Sequence, residues 1–344
     1  MEEFKERGYE IVAYGFSRNN DNKNFPHGID VHTIGSFSSA SSYFSRLNVL
    51  IKGIRSVVKK HEKEDCVFYL FRNDIAIIYS FITRHPYVFE EADMTHLNIS
   101  NKLLRNCLER KIKTIIKHSV VSVFRSEGFV KCHFGNNHPD NVFVIPNRLH
   151  PRVLQLPHSE KTNVNDNCLK FGFVGGVRYN TIFSFANALL KHFPQHQIHF
   201  FGFFVTDEVK EKFITLDTYP NCFFHGAFQS PEDLPDIYSQ IDVLLSTYDV
   251  STINPRYAEP NKLYEAIYFD TPIIVSSNSY LADKVSRLGI GYDVDATNED
   301  AVVRLVKSIN RESLMNKRMN ISRIDKMTCI NKNEEFFNFF EERI

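Results

Sequence analysis

A chain of 344 residues has room for two globular domains of about 150 residues each. An apolar share of 43% is enough to fill their cores, which excludes a disordered or fibrous protein. The 41 basic and 41 acidic side chains cancel, so bulk charge does not hold the protein to nucleic acid. Six scattered cysteines form no C-x-x-C pair and indicate neither a zinc site nor a disulfide framework. With no run of about 18 apolar residues and no apolar core at the N-terminus, the expected setting is cytoplasmic, with reduced thiols.

Short β-rich apolar runs alternate with longer helical stretches, the pattern of mostly parallel sheets covered by helices. In the first half, strands are expected at residues 9–16, 66–71, 86–89, 120–124 and 141–145, with helices around 43–60, 74–83 and 100–117. Residues 1–7 read as the tail of an amphipathic helix leading into the first of these strands. A domain of this kind normally opens with a strand and a glycine-rich turn before that helix. Neither is present, so either the sequence is truncated or the first sheet lacks a strand.

Residues 146–167 carry Pro151 and Pro157 among polar residues and lose all periodicity, which makes them the expected linker. The pattern then restarts, with strands at 169–174, 197–203, 222–225, 243–246 and 272–276. Helices are expected at 181–192, 207–216, 231–239, 260–269, 280–288 and 299–310. The predicted organisation is a domain over 1–155, a second over 156–325, and a C-terminal helix in 326–344 that packs back on the first domain. Both domains are α/β and doubly wound, facing a cleft. Ligands in such sheets bind beyond the carboxyl ends of the strands.

The densest chemical signal is Glu259-Pro260-Asn261-Lys262-Leu263-Tyr264-Glu265-Ala266-Ile267, followed by Asp270-Thr271-Pro272-Ile273-Ile274-Val275. Pro260 suits the first turn of a helix, where its missing N–H is no loss. Leu263, Ala266 and Ile267 form the core stripe, while Lys262 and Glu265 share another face. Backbone N–H groups and Lys262 can meet a phosphate there, and Glu265 can accept from vicinal ribose hydroxyls. The same spacing also suits an exposed i,i+3 ion pair, and spacing alone leaves both readings open.

A second signal is Phe171-Gly172-Phe173-Val174-Gly175-Gly176-Val177-Arg178, ahead of a helix. A strand that ends in Gly175 and Gly176 lets a ligand approach the backbone, and Arg178 can fork onto a diphosphate. Such turns also use glycine for purely steric reasons.

Together these segments resemble the C-terminal domain of GT-B glycosyltransferases, specifically the retaining group called family 4. The shared block is P-x-K-x-x-E-x-x-x-x-x-x-P-x-[IV], here Pro260, Lys262, Glu265, Pro272 and Ile274, and the likeness spans most of 168–310. The resemblance implies two Rossmann-like domains facing a cleft and a nucleotide-sugar donor, UDP- or GDP-linked. Gly175, Gly176, Arg178, Glu259, Pro260, Asn261, Lys262, Leu263 and Glu265 are the implied donor-binding residues. Glu265 would hold the ribose, while Arg178 and Lys262 neutralise the departing diphosphate, so that no metal or other cofactor is called for.

The first half resembles the family more loosely. The segments Phe89-Glu90-Glu91-Ala92-Asp93-Met94 and Phe124-Arg125-Ser126-Glu127-Gly128-Phe129 each follow a strand, at positions where similar proteins place acceptor-facing groups. Glu90 and Asp93 are the candidates to orient or deprotonate an acceptor hydroxyl. Asp93 or Ser100 can equally cap the next helix.

One departure bears on the donor sugar. Many family members carry a glutamate eight residues before the one matching Glu265; Tyr257 stands there, and Glu259 lies only six before. Either Glu259 or the loop 251–258 makes that contact, or the donor preference is altered.

Other motifs carry less. Asp293-Val294-Asp295 has the D-x-D form of metal-dependent transferases, but its place late in the chain fits a polar strand end. Pro194 interrupts any helix that would align His192 with His196, so these and His199 read as core or solvated histidines. Gly289-Ile290-Gly291 lacks the continuation of a dinucleotide fingerprint. The basic stretch with Lys102, Arg105, Arg110, Lys111, Lys113 and Lys117 suits either a solvated face or peripheral contact with an anionic membrane.

The leading expectation is therefore a retaining, metal-independent glycosyltransferase that acts on a glycan or polyprenyl-linked acceptor in surface polysaccharide synthesis. Two alternatives stand beside it: a nucleotide-sugar epimerase or hydrolase of the same fold, and a catalytically silent subunit that binds nucleotide or glycan.

Overall fold

The computed structural model describes residues 1–18, 30–38, 42–157, 165 and 167–344. Most of the late part of the expected linker, 158–164 and 166, lies outside the described residues. The chain divides into two compact units. One comprises Met1–Val123, Pro139–Phe143 and Phe340–Ile344; the other comprises Phe124–His138 and Val144–Phe339.

The first unit opens with a short helix α1 (Glu2–Glu6) and a parallel pair of strands, β1 (Val12–Arg18) and β2 (Asp30–Phe37). β2 was not expected from the sequence. Its run Asp-Val-His-Thr-Ile-Gly-Ser-Phe mixes polar and apolar residues without a clean two-residue period. Helix α2 (Tyr43–Lys60) packs close by: a Cβ on Gly35 of β2 would sit 2.6 Å from Val49.

There follow β3 (Phe68–Phe71), α3 (Asn73–Ile82), β4 (Tyr87–Glu91), α4 (Lys102–His118), β5 (Val121–Phe124), α5 (Glu127–Phe134) and β6 (Val142–Val144). The strands form a sheet of order β3-β4-β5-β6, with β3 and β4 parallel. The eight residues of α5 were read from the sequence only as a loop after a strand.

The second sheet is built from β7 (Lys170–Val177), β8 (Gln197–Phe204), β9 (Cys222–Gly226), β10 (Val243–Ser246), β11 (Ile273–Ser276) and β12 (Gly291–Val294). Its order is β12-β11-β10-β7-β8-β9, and every neighbouring pair is parallel. Interleaved with them are α6 (Asn180–His192), α7 (Asp207–Leu216), α8 (Leu234–Ser239), α9 (Ile253–Tyr257), α10 (Asn261–Tyr268), α11 (Tyr280–Leu288), α12 (Glu299–Ser308), α13 (Arg311–Ser322) and α14 (Glu334–Glu341). The short α9 and the largely polar α13 had no expectation in the sequence.

Strand alternation fills two cores, one on each face of this sheet. Phe171, Phe173, Phe200, Val243, Leu245 and Ile274 join one core with α6, α7 and α12. Their neighbours Val174, Phe201, Leu244, Ile273 and Val275 join the other, with α8, α10 and α11. The strand order reverses between β7 and β10, so the carboxyl ends of these two strands mark the switch point where such sheets take ligands. Among the described residues, no helix is long and apolar enough to cross a membrane.

Candidate active site

Three glycines set the backbone at the carboxyl end of β7. The strand does not stop before Gly175 and Gly176, as the sequence suggested, but runs through both to Val177 in register with β8. Gly175 pairs with Gly202, and the two chains approach so closely that a Cβ on Gly202 would lie 2.0 Å from the Gly175 carbonyl oxygen. Gly175 has φ +124°, a conformation that favours glycine, and a Cβ there would sit 3.0 Å from the Lys262 Nζ.

Lys262 comes from the first turn of α10. Pro260 is the N-cap residue, in extended conformation, rather than the first helical residue as expected, and no side chain caps the helix. The N–H groups at this end therefore lack a side-chain acceptor. Lys262 is only 8% exposed, with its Nζ 5.1 Å from the centre of the Phe173 ring. Among the described residues its ammonium has no ion pair and no hydrogen bond. A cation set beside the N–H groups of a helix start has the chemistry to receive an anion.

Glu265 lies one turn on and is 4% exposed. Its Oε2 accepts from the Tyr238 hydroxyl at 2.6 Å, and its Oε1 from the Asn261 amide at 2.6 Å. Burial pushes its carboxyl above the usual range; the Lys262 charge and these two donors oppose that. Lys262 and Glu265 are thus not an exposed surface pair, because both point inward. Leu263 of the same segment has its side chain in the core, and its N–H reaches the Pro260 carbonyl at 3.1 Å, so it offers a ligand little.

Arg178 is exposed just beyond β7, its guanidinium 5.9 Å from the Tyr179 ring centre. Tyr179 meets Tyr248 edge-on at 5.1 Å, which links this turn to the segment after β10. Tyr179 is also the N-cap of α6, again without a side-chain cap. At the end of β10 the buried hydroxyls of Ser246 and Thr247 have no hydrogen-bond partner among the described residues. Gly175, Gly176, Arg178, Asn261, Lys262 and Glu265 therefore flank the switch point, on β7, the turn after it and α10.

The position expected to carry a glutamate is used otherwise. The Tyr257 carbonyl accepts from the Ser126 hydroxyl at 2.7 Å, and a Cβ on Gly128 would lie 2.2 Å from it. Glu259 instead turns into the protein, 2% exposed, with Oε1 taking the Tyr264 hydroxyl and the Lys284 ammonium, the latter at 2.9 Å.

With this geometry in view, solved structures of similar fold can be compared. Anabaena HepE in complex with UDP and glucose matches at 15% identity over 91% of this chain and 86% of that one, with a TM-score of 0.62. Sucrose-phosphate synthase from Thermosynechococcus elongatus matches at 13% identity over 98% and 88%, with a TM-score of 0.65. WaaG, a glycosyltransferase involved in lipopolysaccharide biosynthesis, matches at 13% identity over 95% and 91%, with a TM-score of 0.63. The chain has the GT-B fold. No family model and no curated protein matches the sequence.

Glu90 and Asp93 belong to the first unit. Glu90, at the end of β4, is buried and accepts from the Tyr69 hydroxyl at 2.6 Å. Asp93 is exposed, and its carbonyl faces the Asn73 amide at 3.4 Å. The same Asn73 amide reaches Glu91 at 3.0 Å and His96 at 2.8 Å, a buried polar group that sequence reasoning missed. No local pattern links Asn73 to residues some twenty positions on; the parallel β3–β4 pairing brings them together.

The weaker motifs behave as core or surface groups. Asp293 is the penultimate residue of β12 and accepts from Ser277, while Asp295 holds the turn at Thr297. His192 meets Glu299 at the surface, His196 is buried, and His199 stacks on His225.

The Tyr238 contact gives a direct check. Tyr238→Phe should cost about 1.5–3 kcal/mol of stability at neutral pH in urea denaturation, because it strips a donor from a buried carboxylate. The cost should shrink as the pH falls below the raised pKa of Glu265, where the carboxyl is neutral. A cost below about 0.5 kcal/mol would show that Tyr238 does not hold Glu265.

Proposed function

We propose that the protein is a retaining glycosyltransferase of the family 4 type, which moves a sugar from a UDP- or GDP-linked donor to a glycan or polyprenyl-linked acceptor. The observation that carries this reading is Lys262, 8% exposed and without an ion pair or hydrogen bond among the described residues, against Gly175 at the uncapped start of α10. The diphosphate takes that position, between Lys262 and Arg178. Glu265, held by Tyr238 and Asn261, keeps lone pairs for the ribose hydroxyls. Glu259 faces the donor sugar in place of the residue at Tyr257.

Positive charge fixed beside the leaving diphosphate stabilises the charge that develops on it, so the reaction runs without a metal ion. HepE is described in complex with UDP and with UDP-glucose, which makes UDP the first nucleotide to test. WaaG acts in lipopolysaccharide biosynthesis, which supports a cell-surface glycan as the product. In the first unit, exposed Asp93 is the group proposed to orient the acceptor hydroxyl, with buried Glu90 behind it.

A lipid-linked acceptor calls for a membrane surface, and α4 offers a cytoplasmic-side contact. It carries Lys102, Arg105, Arg110, Lys111, Lys113 and Lys117, with Leu103 at 81% exposure near its start. Phe81, 76% exposed, lies under the Lys111 ammonium at 4.1 Å. Basic groups beside exposed apolar side chains suit an anionic lipid surface.

Calorimetric titration with UDP and GDP, first in chelator and then with magnesium, tests the donor site. One nucleotide should bind equally in both, and Glu265→Ala should weaken it by about 1.5–3 kcal/mol. Arg178→Ala and Lys262→Ala should lower turnover more than they weaken substrate binding. A folded protein that binds neither nucleotide would contradict the reading, and binding without any donor turnover would make it a nucleotide-binding subunit. For the membrane contact, sedimentation with phosphatidylglycerol vesicles should capture the protein at low salt, and Leu103→Ser with Leu104→Ser should weaken capture. Equal capture by phosphatidylcholine vesicles would remove the charge argument.

A further inference from the structure

Glu259 combines two features that rarely occur together. The residue is 2% exposed, and among the described residues Oε2 has no hydrogen-bond partner, while Oε1 takes both Tyr264 and Lys284. Buried polar atoms are nearly always paired, so an open carboxylate oxygen at this depth points to a ligand that supplies the donor. Glu259 also immediately precedes the uncapped start of α10, where the diphosphate is placed.

The second observation concerns how the carboxylate is held. Lys284 comes from α11, and its ammonium lies 5.7 Å from the centre of the Tyr264 ring, whose hydroxyl donates to the same Oε1. One ring thus supports the lysine and shares its acceptor. Two donors on Oε1 restrict rotation of the carboxylate, and neither of them hydrogen-bonds to Oε2.

We propose that Lys284 is a positioning residue for the donor sugar: by holding Oε1 of Glu259, it presents Oε2 to a sugar hydroxyl. This rests on the nucleotide-sugar reading above. The contact is stronger with the ionised carboxylate, because a hydrogen bond to a charged acceptor outweighs one to a neutral carboxyl. Burial raises the Glu259 pKa and Lys284 is the main group opposing it; Glu127 adds to the rise and Arg148 opposes it. Without the lysine, the carboxylate takes up its proton at a higher pH.

The test compares a bare nucleotide with its sugar derivatives on the full chain. Wild-type protein is titrated with UDP, UDP-glucose, UDP-galactose, UDP-N-acetylglucosamine, GDP and GDP-mannose, and the tightest sugar nucleotide is carried forward. Lys284→Met should weaken that ligand about tenfold while leaving the bare nucleotide within about twofold. Lys284→Arg should restore most of the loss. The acid-side fall in sugar-nucleotide affinity should move to higher pH in Lys284→Met. In a Glu259→Gln background, Lys284→Met should add nothing, because it acts through Glu259.

If Lys284→Met does not fold, Lys284→Gln takes its place in the same comparison. Parallel losses for nucleotide and sugar nucleotide, or an additive double variant, would reduce Lys284 to a structural tie between α10 and α11 and overturn the proposal. Unchanged sugar-nucleotide affinity in a folded Lys284→Met would overturn it alone, leaving the donor site standing. A wild-type protein that binds no nucleotide would overturn the donor reading and this proposal with it.

Discussion

Lys262 is only 8% exposed, its ammonium has neither an ion pair nor a hydrogen bond among the described residues, and much of the second unit's geometry is built around it. The Phe173 ring face and the charge of Glu265 lie beside it and favour its positive charge. The surrounding structure makes sense as a means of keeping it there. Gly175 lacks the Cβ that would crowd Nζ, and Gly202 in turn lacks the one that would strike the Gly175 carbonyl. A side chain at either glycine would displace the lysine or split β7 from β8.

The carboxylates in and just before α10 follow the same logic. Glu265 is held from both sides by Tyr238 and Asn261, and Glu259 from one side by Tyr264 and Lys284. Each is fixed before any ligand arrives, so binding does not have to freeze a mobile side chain. In the proposed donor site, groups oriented in this way are the ones that would meet the ribose and sugar hydroxyls. The two cores on either side of the sheet supply the rigid frame, with Leu263, Ala266 and Ile267 anchoring α10 from below.

Much of this was legible in the sequence, for identifiable reasons. The strands of the second sheet are runs of β-branched and aromatic residues between turn signals, and α10 announced itself through its apolar stripe. The meaning of Lys262 and Glu265 was not legible, because an i,i+3 pair looks the same whether exposed or inward-facing. Their burial decided between the two. Lys284 and Tyr238 could not be found at all, since their partners lie 25 and 27 residues away, outside their own helices. β12 has only four residues, one of them charged, and α13 carries few apolar positions, so neither gave a clear period. The departure at Tyr257 was visible, but not that its carbonyl receives Ser126, which ties up the backbone at that position.

Amide hydrogen exchange with and without UDP tests the central claim most directly, because it reports where a phosphate lands. Docking of the diphosphate at the start of α10 predicts that slowed exchange concentrates in residues 261–264 and in the turn 175–180. UDP bound with protection confined to other segments, and none at these two, would contradict the account.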